Sequence, residues 1–110
     1  MDLKWTSKAL ADLARLHDFL APVDRRAAAR TIQALARAPA RLLEHPRLGE
    51  KLDEFKPREV RRLLVGPYEV RYELQGSTIY VLRLWHTPAR NAKSRGRQPP
   101  ADRLELRFVA

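Results

Sequence analysis

The sequence predicts an α+β domain: a short N-terminal strand, an α-helical hairpin, then a three-stranded antiparallel meander. Three observations carry this expectation. Between Lys8 and Ala38 apolar residues recur at three- and four-residue spacing, the period of helices with one buried face. From Glu59 onward the period shortens to two and Val, Leu, Ile, Tyr and Trp dominate, as half-buried strands require. Gly66-Pro67 and Gln75-Gly76-Ser77 then divide that half into three runs, each break supplying turn residues.

Leu3-Lys4-Trp5-Thr6 alternates as a strand does, and Thr6 or Ser7 offers a hydroxyl to cap a helix over Lys8 to Leu20. Leu10, Leu13, Leu16 or His17, and Leu20 form its apolar face. Pro22 interrupts it, and Pro22 or Asp24 opens a second helix ending at Ala38 before Pro39. Its stripe is Ala28, Ile32 and Leu35, and its many alanines let the two axes pack closely. Arg26, Arg30, Gln33 and Arg37 occupy the other face, which reads as solvated.

Leu42 to Phe55 holds Pro46 and Gly49 without a sustained period, so a loop with one short helical turn is expected. The strands follow at Glu59 to Val65, Tyr68 to Leu74 and Thr78 to His86. The helices should cover one face of the sheet and leave the other open. Alternation assigns Tyr68, Val70 and Tyr72 to the covered face and Glu69, Arg71 and Glu73 to the exposed one, with Arg83 exposed on its own strand.

A chain of 110 residues is one domain long. Residues 1–88 make the domain and 89–110 a basic C-terminal extension, in which Leu104, Leu106 and Phe108 alternate as a strand docked on a sheet edge would. Twenty-two Lys and Arg against thirteen Asp and Glu give a net charge of +9, which favours an anionic partner. The lack of cysteine excludes disulfides and thiolate chemistry. His17, His45 and His86 show no metal-ligand spacing, so no metal and no cofactor are expected. No signal peptide or spanning segment is visible, which reads as a cytoplasmic protein without a membrane partner.

The ordered elements Glu44-His45-Pro46-Arg47-Leu48-Gly49, Val60-Arg61-Arg62, Gly66-Pro67-Tyr68-Glu69-Val70-Arg71-Tyr72 and Ile79-Tyr80-Val81-Leu82-Arg83-Leu84-Trp85-His86 resemble RelE/ParE-superfamily toxins. The Glu-His-Pro-x-x-Gly and Arg-x-x-His elements are closer to ParE than to RelE. The resemblance implies the toxin of a type II toxin–antitoxin system, neutralised by a cognate antitoxin that alone carries it to operator DNA. A ParE-like member poisons DNA gyrase without hydrolysing anything. The alternative is a RelE-like endonuclease that cuts mRNA on the ribosome, and a third is an inert member kept for antitoxin binding.

Cleavage beside a 2′-hydroxyl needs a base, a cation for the phosphate and an acid; the ribonuclease candidates are Glu69, Arg71, Arg83 and His86. RelE-like toxins place an arginine after the aromatic residue that opens the middle strand. Here Glu69 follows Tyr68, and an exposed carboxylate would repel the phosphate. Candidates for target binding are Arg61, Arg62, Arg71, Arg83 and His86. The plainer reading pairs the arginines with Glu59, Glu69 and Glu73 across strands, sets His86 against backbone at the sheet edge, and makes Trp5 and Trp85 packing residues.

Overall fold

The computed structural model describes residues 1–87; the basic extension and its strand at Leu104 to Phe108 lie outside the described residues. Strand β1 (Asp2–Trp5) leads into helix α1 (Ser7–Leu20), helix α2 (Arg25–Arg37) and a 3-10 helix over Ala38–Leu43. A two-residue strand β2 (Glu50–Lys51) and a 3-10 turn at Asp53–Phe55 precede β3 (Glu59–Val65), β4 (Tyr68–Gln75) and β5 (Thr78–His86). The sheet runs β1-β5-β4-β3-β2, with β1 parallel to β5 and the other pairs antiparallel. Among the described residues no helix is long and apolar enough to cross a membrane.

Local chemistry accounts for the boundaries. The Thr6 hydroxyl accepts the Ala9 N–H at 3.0 Å, and the Asp24 carboxylate accepts that of Ala27 at 3.0 Å, each satisfying a helix-end donor. Gly66 and Gly76, both at φ +60°, let the two hairpins turn tightly where a β-carbon would be strained. Between Leu42 and Phe55 the chain is more ordered than a bare loop, because β2 pairs Glu50 with Arg62 and Lys51 with Arg61.

The core lies between the helices and one sheet face. Ala9, Leu16, Leu35 and Leu42 pack there with Leu63, Val70, Tyr72, Ile79, Val81 and Leu84. On α1 the buried line is Ala9, Asp12 and Leu16, whereas Leu10, expected inside, is 53% exposed. Counting only large apolar residues shifts the stripe by one position, since alanine and a paired aspartate also fill it.

Asp12 is buried because the sheet edge needs it. β1 pairs with β5 only from Thr78 to Val81, and Thr6 continues the edge by donating its N–H to the Val81 carbonyl and its hydroxyl to that of Leu82. Beyond this, the Asp12 carboxylate accepts the Leu84 N–H at 3.0 Å. It also binds Arg83 through Nε at 2.7 Å and Nη2 at 2.9 Å, and Arg15 at 2.8 Å.

Asp12→Ala should therefore lower stability by about 1–3 kcal/mol. The change strands the Leu84 N–H, while Arg83, half in solvent, can rehydrate. Urea denaturation should show a lower midpoint with the slope unchanged; a loss below about 0.5 kcal/mol, the usual range for a surface substitution, would show that Asp12 does not hold the edge.

Candidate functional site

The sheet face away from the helices is not bare. Leu52 donates its N–H to the Val60 carbonyl at 2.9 Å, and both residues are buried outside the main core cluster. Register places Val60 beside Glu73, so the segment carrying the Asp53–Phe55 turn lies over the end of this face. The Arg58 guanidinium grips Glu73 there through two bonds of 3.0 and 2.8 Å.

The centre of the face is a row of charges clamped by rings. Glu69 sits in register between Leu64 and Trp85, and Arg71 between Arg62 and Arg83. Glu69 accepts from Arg71 Nη2 at 2.8 Å and lies 3.6 Å from Arg62 Nη1; Arg62 also bonds Glu50 at 2.9 Å. The Arg71 guanidinium carbon lies 4.6 Å from the Trp85 ring centre and 5.5 Å from that of Phe55, within cation–π range. Trp85 is thus a stacking partner for an arginine, while Trp5 packs on the core.

This corrects the exposed placement of Glu69 and Glu73, which are 4% and 5% exposed. Alternation gives them the right face, but Phe55, Trp85 and the paired arginines cover them. Arg83 is corrected too. β4 and β5 shift register between Arg71 and Tyr72, leaving Leu82 unmatched; such a bulge adds local twist, and the Arg83 side chain bonds Asp12 on α1.

The four ribonuclease candidates do not converge. Glu69 and Arg71 meet on the open face and Arg83 is held at the edge. His86 is in register with Tyr68 on the face opposite Glu69, their rings edge to face at 5.3 Å. Among the described residues no three His, Asp or Glu side chains are grouped as a metal site would require.

Of the target-binding candidates, Arg62 joins the Glu69 cluster, whereas Arg61 shares Tyr72's face and serves a loop. Its Nε bonds Glu59 at 2.9 Å and its Nη1 the Gly49 carbonyl at 2.7 Å. The Tyr72 hydroxyl donates to the Pro46 carbonyl at 2.8 Å and accepts the Gly49 N–H at 2.9 Å; burial pushes the Tyr72 phenol up, so it remains a donor. A β-carbon at Gly49 would run into the Arg62 carbonyl and the Tyr72 ring. The Glu-His-Pro-x-x-Gly element is therefore anchored from beneath by a tyrosine and an arginine.

With this geometry in place, the family model described as the ParE toxin of type II toxin–antitoxin systems, parDE, matches residues 3–88. The chain belongs to the ParE toxin family. It is 33% identical over 82 residues to Toxin RelE2 of Caulobacter vibrioides, covering 74% of this chain and 90% of that one. A solved structure, the chromosomal ParDE toxin–antitoxin system from P. aeruginosa, aligns with a TM-score of 0.66 at 28% identity over 76% of this chain and 92% of its own.

In this ParE-family toxin the paired carboxylates set the acid response. Arg58 hydrogen bonds hold Glu73 below its ordinary value; burial alone would raise Glu59, but hydrogen bonds and charge from Arg47 and Arg61 outweigh it and hold it low. Depressed folded values mean that their stabilisation is complete above the unfolded value and lost as pH falls through the folded one. Stability should hold from neutrality toward about pH 5 and drop below about 4.3, the unperturbed glutamate value. Glu73→Gln should flatten that acid limb in pH-dependent urea titrations; an unchanged limb would remove Glu73 from the response.

Proposed function

We propose that this ParE-family toxin acts by binding DNA gyrase without covalent chemistry of its own and is neutralised by a cognate antitoxin. The observation that carries the reading is the commitment of the open-face arginines to carboxylates. Arg71 and Arg62 are bound to Glu69, and Arg58 to Glu73. A scissile phosphate would have to take Arg71 from a buried carboxylate, and breaking such a pair costs about 3–5 kcal/mol, discounted here because Arg71 is partly exposed. The separation of His86 from Glu69 also leaves the face without an acid opposite a base. The apolar side chains left exposed on the helical layer, Leu10, Phe19 and Val23, suit an antitoxin segment with an apolar face.

The relative named Toxin RelE2 gives a second reading, ribosome-dependent mRNA cleavage. The purified toxin should inhibit gyrase supercoiling in proportion to its concentration and produce no new mRNA ends in a translation extract, and its antitoxin should reverse the inhibition. Codon-dependent mRNA ends that disappear in Glu69→Gln, with supercoiling untouched, would reverse the assignment and make Glu69 a base.

A further inference from the structure

The arginines of this domain fall into two populations. Arg15, Arg47, Arg58, Arg61, Arg62, Arg71 and Arg83 each have a carboxylate between 2.7 and 2.9 Å. Arg25, Arg26, Arg30, Arg37 and Arg41, on α2 and the 3-10 helix after it, are exposed, and none is ion-paired among the described residues. No acidic residue occurs between Asp24 and Glu44, and Asp24 is occupied as the α2 cap.

At 100° per residue Arg26, Arg30, Gln33 and Arg37 share one narrow stripe, about 16 Å long at the helical rise. Alanines flank it, Ala29 and Ala36 on one side and Ala34 on the other, all exposed, so the helix stays slim. Its inner side is fixed by Ala28 and Leu35, both buried. From this arrangement we infer that the outer face of α2 binds the phosphate backbone of duplex DNA without reading sequence.

The chemistry of the stripe selects that partner. Guanidinium groups match phosphate oxygens bidentately, and the stripe carries no aromatic or large aliphatic side chain to form the apolar centre of a protein interface. It also lacks aromatic rings on which unpaired bases could stack. A slim helix enters the major groove of B-form DNA but not the deep, narrow one of an RNA duplex. Such contacts carry no sequence information, so operator recognition stays with the antitoxin, and the inference does not depend on gyrase being the target.

Anisotropy of a labelled mixed-sequence DNA duplex, titrated with the full chain from 50 to 200 mM salt, tests it. Binding should weaken linearly in log–log form with rising salt and be indifferent to base sequence. Arg26→Gln/Arg30→Gln/Arg37→Gln should lower affinity at least tenfold at the low-salt end and flatten the slope by about 2.7, three phosphate contacts' worth. Glutamine retains helix propensity, and far-UV circular dichroism checks the fold; the matching Arg→Lys triple variant should keep most of the salt slope. Equal affinity and slope in a folded glutamine variant would overturn the inference. Tighter binding to an RNA duplex or to a poly-glutamate peptide than to DNA would overturn it in favour of that partner.

Discussion

A nine-residue strand beside a four-residue one leaves half an edge without a neighbour, and the architecture turns on how that edge is closed. Thr6 closes the first part while capping α1, and Asp12, in the second turn of α1, closes the next through the Leu84 N–H. The helix is thereby tied to β5 by polar bonds as well as by Ala9 and Leu16. Because α2 packs back on α1, these ties together orient the helical layer. The charge of Asp12 is balanced by Arg83 and Arg15, which removes Arg83 from the open face and limits what that face can do.

Charge is segregated with similar economy. Along β4 the signs alternate, Glu69, Arg71 and Glu73, and both carboxylates are bound by arginines beside the Phe55 and Trp85 rings, giving a face whose carboxylates are paired. On α2 the cations stand alone. The net charge of +9 belongs to the whole chain; within the described domain the charge is polarised, with a paired sheet face on one side and an unbalanced helix face on the other. An approaching anion is steered toward the second by long-range attraction, while the first offers shape, rings and backbone.

Alternation and turn chemistry made most of the frame legible. The limits expected for the first and last strands of the meander, Glu59 to Val65 and Thr78 to His86, are those observed, because their turns are flanked by glycine and their faces differ sharply in polarity. β2 is two residues long and exists only through β3, so it leaves no period to read. Asp12 looked like any polar residue of an amphipathic helix; its burial depends on the free edge of a strand some 70 residues away. Alternation assigns Glu69 and Glu73 to the correct face but does not reveal their cover, since nothing local says that the segment before β3 folds over it. The sequence pattern makes Tyr72 a covered strand residue and Arg61 a target-binding candidate; neither reading reveals that the two anchor the Gly49 loop.

The parallel pairing of β1 with β5 joins the beginning of the described fold to its end. Thr6 and Leu82, which bond across that junction, are 76 residues apart. At about 5–20 residues per second, a ribosome needs on the order of 4–15 s to make the span between them. During that time the first strand has no neighbour and α1 has no edge on which to set Asp12. Such long-range closure also slows folding once the chain is released. The newly made chain therefore passes through a delay before its surfaces exist.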